Sequence, residues 1–279
     1  MNPARQQRPT ARVTGRGGAR RRLDIALVER GLVPSREKAQ ALIMAGDVLV
    51  DGAPAEKPGA AVRDDAVIAL ARQPTHVGRG ALKLEGALDA LGLDPTGRVA
   101  IDVGASTGGF TQVLLERGAR RVYAVDVGRA QLHERLRRDA RVVVLERTNA
   151  RTISPHEIPE PCGLAVMDVS FISARKILPA LRSVLATPAD VLVLVKPQFE
   201  LRRQDVGRGG LVRDPDLHAR AVRDVAEAAL AEGYALRGAC ASPVAGSEGN
   251  REFFVHLSVP GPGIGPETVE ALAREVTRP

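Results

Sequence analysis

The chain has 279 residues, 44% hydrophobic but only 3% aromatic, with no tryptophan; that suits two unequal domains with cores of Ala, Val, Leu and Ile. No run approaches the ~20 apolar residues of a membrane helix, and the charged N-terminus lacks the apolar segment of a secretory signal. Cys162 and Cys240 are too few for a disulfide framework or a zinc cluster and fit a reducing cytoplasm, and the five histidines show no ligand spacing, so no metal is expected.

The formal net charge of +7 fits a polyanionic partner, but it is unevenly spread. Residues 1–22 hold Arg5, Arg8, Arg12, Arg16, Arg20, Arg21 and Arg22 and no acid, so the remainder is about neutral. Residues 1–21 are expected to be a disordered basic tail, either an attractor for nucleic acid or simply a solvated segment. Arginine outnumbers lysine 35 to 5. A position that keeps lysine is therefore a candidate for needing a compact, titratable amine, which arginine cannot supply.

Residues 22–70 read as a small α+β module. Leu23, Ile25, Ala26, Leu27 and Val28 give a short helical face that ends at Gly31. A second, capped by Ser35 and carrying Lys38, Ala39, Leu42 and Ile43, ends at Gly46. Asp47 to Gly52 reads as a short strand running into a turn, and Val67, Ile68 and Leu70 make another short strand. The pattern Arg22-Leu23-Asp24, Gly31-Leu32-Val33-Pro34-Ser35-Arg36 and Ala41 to Gly52 resembles an S4 domain, an RNA-binding module. The resemblance implies that Arg22, Arg36 and Lys38 meet RNA phosphates; taken singly, each is as well explained as part of a solvated face.

Residues 71–79, with Pro74 and Gly78, read as a linker. From 80 to 260 strands and helices alternate. Strands are expected at 99–103, 121–127, 142–145, 164–169, 191–195, 236–245 and 252–259, with helices at 110–118, 131–138, 174–185 and 214–232. Valine-rich strands between helices predict an α/β fold with a mostly parallel, seven-stranded sheet covered on both faces. Residues 261–279 form an extension with a short helix.

The segment Ile101 to Phe110 leaves the first of these strands and opens a helix. Asp102, Gly104, Ala105, Ser106, Thr107, Gly108, Gly109 and Phe110 are its candidate ligand-binding residues. Ser106 occupies the place of the second glycine of the dinucleotide fingerprint and no P-loop lysine follows, so a pyrophosphate is disfavoured. Asp126, ending the next strand, can accept hydrogen bonds from a ribose diol, which suits NAD and S-adenosylmethionine alike. Asn149 lies after a strand, as a candidate adenine contact or a plain turn residue.

Asp168 and Lys196 each end an apolar strand. A lysine there is costly to charge unless paired, and adjacent strand ends lie close enough to pair. The two are expected to form either a functional pair at the cleft or a structural ion pair.

With Lys83 before the first strand and Glu252 entering the last, the order Lys83, Asp168, Lys196, Glu252 resembles the tetrad of FtsJ-like 2′-O-methyltransferases. S4 plus FtsJ-like domains together resemble the TlyA family, members of which are also called haemolysin A. The resemblance covers residues 22–260. It implies a Rossmann-like, S-adenosylmethionine-dependent fold that methylates the 2′-oxygen of cytidines in 16S, and often 23S, rRNA. It implies that Lys196 acts on the 2′-hydroxyl, that Asp168 orients it and faces the donor, and that Lys83 and Glu252 hold the target nucleotide. The long N-terminus and extended C-terminus resemble the dual-specificity subtype, although Arg72-Gln73-Pro74 stands where one well-known member has an Arg-Ala-Trp linker. Expected partners are rRNA and ribosomal subunits, with the protein a monomer not inserted in a membrane. A non-catalytic ribosome-assembly factor, a pseudouridine synthase and a membrane-active haemolysin are the competing readings. The glycine-rich turn argues against the synthase, and the missing signal and membrane span argue against the haemolysin.

Overall fold

The computed structural model describes residues 20–44, 46–55, 57–70, 76–246, 249–260 and 266–278. The basic tail before Arg20, residues 71–75 of the expected linker and residues 261–265 lie outside the described residues. The chain divides into two compact units, residues 1–75 and 76–279.

The first unit begins with strand β1 (Arg20–Arg22), then helices α1 (Leu23–Glu29) and α2 (Arg36–Met44). Strands β2 (Val48–Val50), β3 (Ala53–Pro54), β4 (Ala61–Arg63) and β5 (Ile68–Leu70) follow. Strand β2 is paired antiparallel with β3 and β5, and β1 with β4. Strands β1, β3 and β4 were not expected: two or three residues give no readable alternation. Leu23, Leu27, Ala39, Ile43 and Val48 form its core. In the first turn of α1 lies Asp24, fully buried. It accepts from Arg22 Nε and Nη2 at 3.0 and 2.9 Å, Arg36 Nε at 2.9 Å and Gln40 Nε2 at 2.9 Å. The Arg22 bonds above all, with those from Gln40 and Arg36, hold its carboxyl well below the usual carboxylate range, against its desolvation.

The second unit opens with α3 (Gly80–Leu91), β6 (Val99–Val103), α4 (Gly109–Glu116), β7 (Arg121–Val125), α5 (Glu134–Arg137) and β8 (Val142–Leu145). It continues through β9 (Cys162–Met167), α6 (Leu178–Arg182), β10 (Leu185–Val195), α7 (Pro197–Glu200) and α8 (Pro215–Ala231). Strands β11 (Ala235–Ala241) and β12 (Phe253–Val259) and helix α9 (Pro266–Val276) complete it. The sheet order is β11-β12-β10-β9-β6-β7-β8, and only β12 runs antiparallel to its neighbours. The expected seven-stranded, mostly parallel sheet is present.

Alternation along each strand sorts the core into two layers. Ala100, Val122, Leu164, Val166, Leu192 and Leu194 pack against α3 and α4. Ile101, Val103, Val125, Met167, Val191 and Val193 pack against α6, α8 and α9. The parallel strands β6, β7 and β9 all end at one edge, where their loops gather.

Several element boundaries differ from expectation. The helix expected over 131–138 is only Glu134–Arg137, because Glu146 accepts from the backbone N–H groups of Ala130 and Gln131 and holds that stretch as a turn capped by His133. The helix expected over 174–185 is a 3-10 turn at Ala174–Lys176 followed by α6. Strand β10 begins at Leu185, earlier than its apolar run, and β11 stops at Ala241.

Candidate active site

The turn after β6 is shaped by close approach. Gly104 has φ +87°, and a β-carbon there would lie 2.3 Å from the Asp168 carbonyl oxygen. Gly108 has φ +97°, and a β-carbon there would lie under 3 Å from the side chains of Leu136 and Leu132. Only glycine meets both demands at either position. Ser106 also takes a positive φ, and its N–H donates to Asp126 Oδ2 at 2.7 Å; Gly128 N–H donates to Asp126 Oδ1 at 2.7 Å. Asp126 is thereby fixed at the end of β7 with carboxylate lone pairs left for a diol.

A cavity of about 330 Å³ opens beside this turn. Gly104, Ser106, Asp126, Asn149 and Asp168 line it with the apolar Val103, Val125, Ile172 and Ile177. Asn149 lines the cavity, and its Oδ1 caps the following 3-10 turn by accepting from Arg151 N–H at 3.1 Å. Asp102, Ala105, Thr107, Gly108, Gly109 and Phe110 do not line it. They build the turn from behind. Phe110 stacks on Phe254 with centroids 6.1 Å apart. Asp102 is fully buried and accepts from Thr111 Oγ1 at 2.7 Å. Burial above all, with Asp168 nearby, pushes its carboxyl up to about 7.

A second cavity, about 340 Å³, shares Asp168, Ser170 and Phe171 with the first. Lys83, Asp168, Lys196 and Glu252 all line it, from α3 and from the ends of β9, β10 and the entry to β12. They form two ion pairs. Lys196 Nζ lies 2.5 Å from Asp168 Oδ1 and donates to Ser170 Oγ at 2.9 Å. Lys83 Nζ donates to Glu252 Oε2 at 2.6 Å. Lys83, Lys196 and Glu252 are buried. Four residues scattered over 169 positions thus converge on one cavity beside the cofactor-sized one.

Several residues at this edge escaped sequence reasoning. Phe171 is 92% exposed at φ +64° and tilts against Phe199 at 5.2 Å, presenting an aromatic face where the two cavities meet. Glu200, buried, accepts from Ser173 Oγ at 2.5 Å and Ala174 N–H at 2.7 Å. It ties the loop after Asp168 to the helix after Lys196. Asn250 spans Val212 N–H and Gly210 O, both at 2.9 Å, just before Glu252. Short loop segments carry no periodicity, so none of these stood out. His76, Glu85 and Glu116 also bring ligand-type atoms within 4.8 Å of one another, a grouping their sequence spacing hides.

In the first unit, Arg22 and Arg36 each give part of their guanidinium to Asp24, so they brace the helices as well as facing solvent. Lys38 is exposed on α2.

A family model described as FtsJ-like methyltransferase matches residues 76–259, and one described as S4 domain matches residues 21–68. The 16S/23S rRNA (cytidine-2′-O)-methyltransferase TlyA of Mycobacterium tuberculosis is 50% identical over 240 residues, 85% of this chain and 90% of that one. The chain belongs to the TlyA family. Hemolysin A of Brachyspira hyodysenteriae is 38% identical over 85% of this chain and 100% of its own. A solved Streptococcus thermophilus protein described as a hemolysin superposes with a TM-score of 0.72 at 38% identity, covering 92% of this chain and 95% of that one. As a TlyA family member with an FtsJ-like domain, the chain is an S-adenosylmethionine-dependent methyltransferase. The first cavity fits that cofactor: apolar walls suit an adenine, and Asp126 stands where a ribose diol would meet it. Among the described residues no helix is long and apolar enough to cross a membrane.

Proposed function

We propose that this protein methylates the 2′-oxygen of cytidine in rRNA, acting on 16S and also 23S RNA within ribosomal subunits in the cytoplasm. Residues 22–70 serve as its RNA-binding domain, with Arg22, Arg36 and Lys38 toward phosphates, and residues 80–260 as its catalytic domain. The observation that carries the reading is the joining of the Lys196–Asp168 and Lys83–Glu252 pairs in one cavity that abuts the cofactor cavity through Asp168.

Asp126, Ser106 and Asn149 line the cavity that would hold S-adenosylmethionine, which would supply an electrophilic methyl group on a sulfonium. Transfer would be an in-line displacement, in which an oxygen–carbon bond forms as the carbon–sulfur bond breaks and the 2′-hydroxyl loses its proton. Alignment dominates such a step. Lys196, fixed by Asp168 and Ser170, has its remaining N–H direction for the 2′-oxygen and stabilises the charge growing there. The hydroxyl proton passes into the Lys196–Asp168 pair. Asp168 also sets a negative charge beside the cationic donor. Lys83 and Glu252 hold the ribose and its phosphate on the far wall. Phe171 offers a stacking surface for a base drawn out of its helix.

The test is methyl transfer from labelled cofactor to 30S and 50S subunits, with the modified atom located. Label on a cytidine 2′-oxygen, lost with Lys196→Ala while cofactor binding persists, supports the reading. A folded, cofactor-loaded protein that labels neither subunit overturns it in favour of an RNA-binding assembly factor.

A further inference from the structure

One polar group in the reaction cavity has no partner. Gln198 follows Lys196 and Pro197 on α7 and lines the same cavity as the two ion pairs. Its Oε1 is buried and meets no hydrogen-bond donor among the described residues. Such an orphan acceptor costs stability in the free protein, and buried polar groups are otherwise satisfied. The cost is recovered when a bound group brings a donor. Lys196, next but one in sequence, pairs with Asp168 and donates to Ser170, Lys83 donates to Glu252, and neither lysine reaches Gln198 Oε1.

We propose that Gln198 reads the base of the target nucleotide, with Oε1 accepting from the 4-amino group of cytosine. This rests on the rRNA methyltransferase reading above and names what discriminates the substrate. A carboxamide places an acceptor beside a donor. The Watson–Crick edge of cytosine places the 4-amino donor beside the N3 acceptor, so the two match at both points, as Asn and Gln match adenine. Uracil presents the reverse pair, a 4-carbonyl and an N3–H: with the carboxamide oriented as in the structure its carbonyl faces Oε1 with a second acceptor, and a match requires the amide to turn over. Phe199, adjacent to Gln198, tilts against the exposed Phe171, so an apolar surface borders the polar reader. Base face and base edge are then met by neighbouring residues, while the sugar lies toward Lys196.

The experiment uses the full-length protein and ribosomal subunits lacking the modification, carrying either the natural cytidine or a C-to-U change at the modified position. Initial rates at subsaturating subunit give kcat/KM for each, with cofactor affinity measured in parallel. The wild type is expected to favour cytidine about 10-fold or more. Gln198→Leu removes the acceptor: the cytidine rate falls about 10-fold or more, the cytidine-to-uridine ratio collapses toward one, and cofactor affinity is unchanged. Gln198→Glu keeps an acceptor at the same place and retains most of the preference. A Gln198→Leu protein that binds cofactor and keeps the wild-type ratio overturns the assignment, as does a Gln198→Glu protein that loses the ratio along with it. A wild type that labels no cytidine at all sinks the functional reading instead, and the two failures are thereby told apart.

Discussion

Gly104 lies against the backbone of Asp168, with its missing side chain directed at the Asp168 carbonyl oxygen 2.3 Å from where a β-carbon would be. The cofactor turn and the catalytic strand end are thus in direct contact, and the space between them exists only because residue 104 is glycine. At φ +87° alanine is strained as well as crowded. Gly104→Ala should weaken cofactor binding at least 10-fold by calorimetry and depress methyl transfer in proportion. Unchanged affinity would mean that the turn adapts and that the contact is incidental.

Lys196→Ala should lower kcat by about 10²- to 10⁴-fold, the range of a positioned acid–base group, with cofactor affinity nearly unchanged. Lys196→Arg should not restore the rate. Arginine keeps the charge but has a planar, larger head that cannot occupy the 2.5 Å contact with Asp168 and the 2.9 Å contact with Ser170 together. Single-turnover rates with saturating cofactor separate chemistry from binding. Wild-type rates in Lys196→Arg would show that plain positive charge suffices.

The sheet was legible because β-strand cores announce themselves: Val191 to Val195 and Leu164 to Met167 leave little other reading, and Lys196 and Asp168 follow directly on them. Asp168 and Lys196 were visible for the same reason, as charges ending apolar runs. Lys83 and Glu252 were not visible on local grounds, since each sits in an ordinary amphipathic context; only the order of all four, matched to a family, brought them forward. The loop geometry stayed hidden. Nothing in Glu146 announces that its carboxylate would take the N–H groups of Ala130 and Gln131 and shorten a helix, and nothing in Glu200 that it would fasten Ser173 and Ala174. Such bonds depend on tertiary approach, which local periodicity does not encode.

Asp24 carries a prediction for the first unit. Its folded carboxyl titrates below its unfolded value, so the stability it contributes is present above the unfolded value of 3.8 and is lost as pH falls through the folded one. Asp24→Ala removes the acceptor for Arg22, Arg36 and Gln40 at once. Amide exchange in α1 and α2 of the full-length protein should speed up at neutral pH, while exchange in β6 and β9 stays as in the wild type. Affinity for rRNA should fall as well, because the arginines lose their brace. Unaltered protection in α1 would show that the buried pairing is dispensable.

Asp102 predicts the opposite slope. Its carboxyl is pushed up to about 7 in the folded protein, because burial disfavours the charged form more than the Thr111 bond favours it. The folded state therefore holds a proton that the unfolded state releases near 3.8, and stability from this group is fully present below that value and declines as pH rises toward 7. The decline amounts to roughly 4 kcal/mol at most, at ~1.4 kcal/mol per pH interval. Asp102→Asn keeps an acceptor for Thr111 and has nothing to titrate. Relative to the wild type, it should gain thermal stability steadily between pH 4 and 7 and hold that gain above 7. Melting both proteins across pH 4 to 9 decides the matter: a difference in Tm that stays flat across the range would mean that Asp102 is already ionised in the fold, with Thr111 as its counter-dipole.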